Sequence, residues 1–245
     1  MNSPYSNEIK EFTIEPGCPW YEAQQTYGAP NVNWCEPTTC AIINEPANTW
    51  SNLPYMIVGL ILIKKMRDKP INSFPWVIFF MGLFSFIYHA SNNYLTQMLD
   101  FVGMFLFMSF MLAFNLKRFL PNAFSFGSAF WFFMFLNTMI FLLFGILDMP
   151  VQKIMLMNTI PIVILEFLNG YLERMLKSYR YFILALFFLI TAQAAAILDI
   201  QRIYCEPDNI WLHGHVVWHL LGAVAMWFSG LHVKEVHSLT RRVLL

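Results

Sequence analysis

The sequence predicts an all-α membrane protein, a seven-transmembrane helix bundle with its N-terminus outside or lumenal and its C-terminus cytoplasmic. Composition is the first reason. Of 245 residues, 58% are hydrophobic and 12% charged, about half the charged fraction of an ordinary soluble domain. The second is length: seven apolar stretches follow one another, each close to the ~20 residues a helix needs to cross hydrocarbon. The third is how Lys and Arg are shared between the connections. Net charge is zero, so no nucleic-acid partner is expected.

Residues 1–46 are polar and carry Pro16, Pro19, Pro30, Pro37 and Pro46, which predicts an extramembrane segment of irregular structure. Met1–Glu15 has no apolar core, so no cleavable signal peptide is expected. The predicted helices cover 48–66, 73–93, 97–118, 125–147, 152–172, 179–199 and 211–232, in one bundle domain at 47–233. Short connections imply a compact bundle, because a helix satisfies its own backbone groups in lipid. The runs FLFMSFMLAF (105–114) and FWFFMFLNTM (130–139) read as packing and lipid-facing surface. Residues 234–245 form a cytoplasmic tail.

With seven alternating helices, one side holds Lys64, Lys65, Arg67, Lys69, Lys117, Arg118, Arg174, Lys177, Arg180, Lys234, Arg241 and Arg242. Only Lys10, Lys153 and Arg202 fall on the other, so the first side is cytoplasmic. All four cysteines, Cys18, Cys35, Cys40 and Cys205, then lie on the opposite side, where disulfides persist. Four cysteines allow three pairings, and the sequence does not choose among them.

In WLHGHVVWHL (211–220), His215 and His219 stand four apart, one turn above the other on one helix face. No charged residue occurs from Val216 to Leu231. Imidazoles are costly in such a segment, which makes them a functional hypothesis needing a partner. Helix direction supplies one. The second helix runs outward, so Ser85 and His89 sit one turn apart in its outer half. The third runs inward and brings Asp100 just below the same surface, while the seventh carries His215 and His219 in its first two turns. Five polar side chains from three helices therefore meet at one depth.

Three neutral imidazoles and an open position are the ligand set of a catalytic zinc site. Asp100 suits proton transfer or the orienting of a histidine, and Ser85 suits hydrogen bonding to an oxyanion. Singly, each residue has a structural reading: an interhelical pair, a packing serine, a capping aspartate, a satisfied core histidine. It is their agreement in depth that favours a metal site. His213, His232 and His237 fall outside it. Asp199 ends the sixth helix, either beside the site or paired with Arg202, and Glu166 has no evident partner.

Ser85-x3-His89, Asp100 and His215-x3-His219 resemble the CREST superfamily of seven-helix membrane hydrolases, and within it most closely the alkaline ceramidases. The likeness includes Asn33-Trp34-Cys35-Glu36, Glu45, Asn48–Pro54 and the Asp199…Cys205 stretch, and runs from about residue 33 to 232. It implies zinc held by His89, His215 and His219, with Ser85 and Asp100 assisting, and cleavage of the amide of a ceramide-like membrane lipid. It also implies a calcium site before the first helix. Trp34, Glu36 and Glu45 match that motif, while Asn33 stands where the family usually has aspartate and Thr38 where it has asparagine. A Cys35–Cys205 disulfide is implied as well. Two other functions remain open at this stage: an esterase or phospholipid hydrolase using the same site, and a non-enzymatic receptor or transporter. Oligomeric state is not legible.

Overall fold

The computed structural model describes residues 13–68, 70–146, 152–174, 179–203, 205, 206, 209 and 211–243. Among them there are helices and no strand. Two short helices, α1 (Tyr21–Tyr27) and α2 (Pro46–Trp50), lead into α3 (Leu53–Lys65) and a single 3-10 turn at Ile71–Ser73. Long helices follow: α4 (Phe74–Ser91), α5 (Tyr94–Phe119), α6 (Phe126–Ile146), α7 (Gln152–Leu172), α8 (Arg180–Ile200) and α9 (Gly214–Val243). Six helices among the described residues, α4 to α9, are long and apolar enough to cross a membrane. The protein is an integral, multi-pass membrane protein. Lys10, Lys69 and Lys177 of the charge count lie outside the described residues.

The first predicted span, 48–66, is not one helix. It breaks at Ser51–Asn52 into α2 and the 13-residue α3, which at 1.5 Å per residue is only about 20 Å long. Pro54 explains the break: lacking an N–H, it cannot donate to the carbonyl of Trp50 the bond that would continue α2. The last helix errs the other way, running past the predicted end at 232 to Val243 because no Gly or Pro follows Gly230. The polar segment before α2 is more ordered than its prolines suggested. It contains α1 and is closed by the Cys18–Cys40 disulfide.

α4 packs between α3 and α5, α5 also touches α6 and α7, and α9 lies against α8 and α3. Leu62, Phe74, Ile78, Phe110, Ala225 and Met226 are fully buried where these helices meet. Close approach is set by small residues, as lipid supplies no hydrophobic drive between helices. At Gly82 a Cβ would come 2.6 Å from the Cβ of Tyr55, and at Gly222 it would collide with the Tyr55 hydroxyl. The run at 105–114 is largely packed inside, whereas α6 turns Trp131, Phe132 and Phe135 outward.

Candidate functional site

The site is built where α4 turns into α5. Ser91-Asn92-Asn93 makes that corner in two steps. Asn92 ends α4 in the left-handed region (φ 44°), which Asn tolerates better than most residues. Asn93 then caps α5, its side-chain oxygen accepting the Thr96 N–H at 3.2 Å. The segment before α2 docks on this corner. Asn44 and Glu45 donate their N–H groups to the carbonyls of Ala90 and His89 at 3.0 and 3.1 Å, and Tyr94 donates to Gly28 at 2.9 Å.

Two turns of α9 and the last turn of α4 bring three imidazoles together. His89, His215 and His219 each offer a ring nitrogen, and these nitrogens all lie within 4.8 Å of one another. All three residues are no more than 3% exposed. Nε2 of His89 and Nε2 of His215 face each other at 3.0 Å. Two acceptor nitrogens so placed in a dry interior call for a cation or a shared proton between them. Burial of this kind suits neutral imidazole, the form that ligates metal.

Each ring is also held from behind. Nδ1 of His89 lies 2.6 Å from Glu45 Oε2, and Nδ1 of His219 lies 2.7 Å from Ser51 Oγ. The Ser51 hydroxyl gives its proton to the carbonyl of Asn48 at 2.9 Å. It is therefore the acceptor for His219, whose Nδ1 carries the hydrogen and whose Nε2 is bare. His215 is stacked on Trp34, ring centroids 3.4 Å apart at 19°. Its backbone N–H donates to Asp199 Oδ2 at 2.9 Å, while Asp199 Oδ1 accepts the N–H of Cys35 at 2.7 Å. Asp199 thus joins α8, α9 and the segment before α2.

The acidic residues of that segment carry strongly shifted carboxyls. Burial is the main cause for both, with nearby negative charge adding to it: Glu36 is pushed up to about 7 and Glu45 to about 8. Burial likewise lowers His213, and neither of its ring nitrogens has a hydrogen-bond partner among the described residues.

Ser85 is buried one turn before His89 and its hydroxyl is within hydrogen-bonding reach of the half-buried Asp100 carboxyl. The Tyr55 ring lies edge-on to His219 at 6.4 Å between centroids. As a set, the three nitrogens can hold one metal ion, with the Ser85 hydroxyl one turn before His89 on α4.

A family model described as Ceramidase matches residues 27–242. The chain belongs to the ceramidase family. A curated relative, human "Alkaline ceramidase 1", is 34% identical over 83 residues, a match covering 30% of this chain and 31% of that protein. The chain is thus aligned with about a third of the length of that relative.

Two disulfides close the ceramidase-family chain: Cys18–Cys40 and Cys35–Cys205, which ties the segment before α2 to the loop between α8 and α9. Glu166 is not isolated, contrary to the sequence reading. It accepts from Arg118 Nη1 at 2.5 Å and from Tyr179 Oη at 2.9 Å, and its Oε1 lies 2.9 Å from His232 Nε2. This cluster, with Glu173 on Arg118 at 2.7 Å, lies at the end of the bundle away from the triad. Sequence reasoning also missed Ser51, Tyr55 and the action of Glu45 on His89. The one available signal was the polar run Asn48-Thr49-Trp50-Ser51-Asn52 at the start of an apolar span.

The zinc and calcium expectations fare differently against these donors. The three buried imidazoles, two with Nδ1 turned away from the common centre toward Ser51 and Glu45, fit zinc. The calcium set fits poorly. Both Glu36 oxygens accept backbone N–H bonds at the start of α2, from Ala47 and Asn48 at 2.7 Å each. Thr38 Oγ1 accepts from Asn92 Nδ2 at 2.8 Å, and Asn33 contributes no charge.

Proposed function

We propose that the chain is a zinc-dependent intramembrane lipid amidase, cleaving the amide of ceramide-type lipids to a sphingoid base and a fatty acid. The single observation behind this is the buried triad of His89, His215 and His219 with its nitrogens converging on one point. Family membership and the human alkaline ceramidase relative support the substrate class. Zinc, when bound, supplies Lewis acidity toward a water and the amide carbonyl.

The chain's own residues do the rest. Asp100 takes the proton of the attacking water as its oxygen bonds to the carbonyl carbon, then returns that proton to the amine nitrogen as the C–N bond breaks. Ser85, which reaches Asp100, turns its hydroxyl to the oxyanion that develops on the carbonyl oxygen. The half-buried position of Asp100 beside fully buried histidines is the side from which a lipid amide approaches.

The bundle is read as seven crossings, with the short α3 joining α4 to α9 and the N-terminus on the lumenal or extracellular side. Two disulfides at the triad end support this, since that side is oxidising. Lys64 and Lys65 end α3, and Lys117 and Arg118 end α5, at the opposite face.

The test is a mass-spectrometric screen of lipid amides and esters with purified wild type, His219→Ala as blank, and zinc measured in both. Release of sphingoid base by a protein holding about one zinc is the expected result. Full zinc content in His219→Ala, or turnover of esters alone, would refute it.

A further inference from the structure

Every imidazole of the triad is steadied by chain that precedes α3. Glu45 meets Nδ1 of His89 at 2.6 Å, Ser51 meets Nδ1 of His219 at 2.7 Å, and Trp34 stacks on His215. The direction of the Ser51 bond follows from the single proton of its hydroxyl, which is committed to the Asn48 carbonyl. Glu45 is fixed in turn by its own N–H on the His89 carbonyl and by Asn48 Nδ2 at 3.1 Å on the same carboxylate oxygen. A carboxylate or hydroxyl behind a ligating imidazole sets its tautomer and orientation, and its loss weakens metal binding.

We propose that Glu45 and Ser51 are positioning residues of the metal centre, and that residues 33–51 act here as a self-braced strut that needs no calcium ion. The proposal rests on the zinc reading above for its first half. Its second half follows from where the oxygens point. Calcium takes six to eight oxygen ligands, commonly with several carboxylates. In this chain Glu36 spends both oxygens on the first N–H groups of α2, filling the orphan donors of a helix start. Glu45 is turned to His89, the Thr38 hydroxyl receives Asn92, and position 33 is an amide. The bracing that a cation would provide is supplied by these bonds and by Cys35–Cys205.

Chelator-competition titration measures zinc affinity in wild type, Ser51→Ala, Ser51→Thr and Glu45→Gln, with circular dichroism confirming the fold. Calorimetry follows Ca2+ added to wild type and to His219→Ala after EGTA treatment. Ser51→Ala and Glu45→Gln are expected to bind zinc ~10–100-fold more weakly. Ser51→Thr, which keeps the hydroxyl, is expected to restore affinity. No calcium heat is expected up to ~1 mM, the weak limit of ordinary protein calcium sites. Should Glu45→Gln fail to fold, Ser51→Ala against Ser51→Thr decides.

Unchanged zinc affinity in Ser51→Ala would overturn the positioning role while leaving the amidase reading intact. Stoichiometric calcium uptake by either protein would overturn the ion-free strut. A wild type that takes up no zinc would sink the amidase reading and the positioning role together, and the calcium titration would still decide the strut.

Discussion

Asp199 Oδ2 receives the backbone N–H of His215 at 2.9 Å, fully buried, while its other oxygen receives the N–H of Cys35. One carboxylate thereby sets where α9 starts relative to α8 and to the segment that carries Trp34. Asp199→Asn keeps the shape but offers one oxygen for two donors, so one N–H meets an amide NH2. The expected cost is about 1–3 kcal/mol of stability, with weaker zinc binding because His215 shifts on Trp34. Thermal unfolding in detergent and chelator competition read these two effects. A variant equal to wild type in both would show the carboxylate to be idle.

Asp100 and Ser85 separate chemistry from binding. Neither belongs to the nitrogen triad, so Asp100→Asn and Ser85→Ala are expected to keep wild-type zinc content. Loss of a proton-transfer group costs ~10²–10⁴-fold in turnover, and loss of one oxyanion donor ~10²–10³-fold. Both should fall in kcat with little change in KM. Wild-type turnover in Asp100→Asn would remove it from the reaction, and lost zinc in either variant would move that residue into the metal centre.

Part of this architecture was legible because helical geometry is periodic. Spacing of four on α9 put His215 and His219 on one face, and alternating helix direction brought His89 to their depth; the coordinates place all three together. Non-local contacts were not legible. Ser51 reaches His219 across 168 positions, through a bend that apolar averaging over 48–66 conceals. Glu166 finds Arg118 across 48 positions on another long helix, a pairing no local pattern encodes. The cysteine pairing was equally open to the residues alone, since loop closure over 170 positions leaves no local trace.

That long closure makes Cys35–Cys205 the disulfide to test by removal. It anchors the strand of chain bearing Trp34 and Glu36 to the loop ahead of α9. Cys35→Ser with Cys205→Ser is expected to lower stability by about 2–4 kcal/mol, from the loop entropy returned to the unfolded chain. Zinc affinity should fall with it, because the stack of Trp34 on His215 loses its tether. Unchanged melting and zinc affinity would show that hydrogen bonds alone hold the segment.

Arg118 bridges α5 to α7 at the other end of the bundle, its guanidinium on Glu166 and Glu173 with both ion pairs largely buried. Glu166 also carries His232 of α9 and Tyr179 ahead of α8, so four helices meet on one carboxylate. Arg118→Ala removes the guanidinium that compensates a side chain with no exposure, and breaking such a pair costs about 3–5 kcal/mol. Arg118→Lys keeps the charge but not the planar fork that serves two carboxylates, so its loss should be smaller and still measurable. Because the triad lies at the opposite end, zinc affinity should stay at the wild-type value in the folded fraction of both. Thermal unfolding paired with chelator competition separates these outcomes. An Arg118→Ala protein within ~1 kcal/mol of wild type would mean that Glu166 is satisfied by His232 and Tyr179 without it.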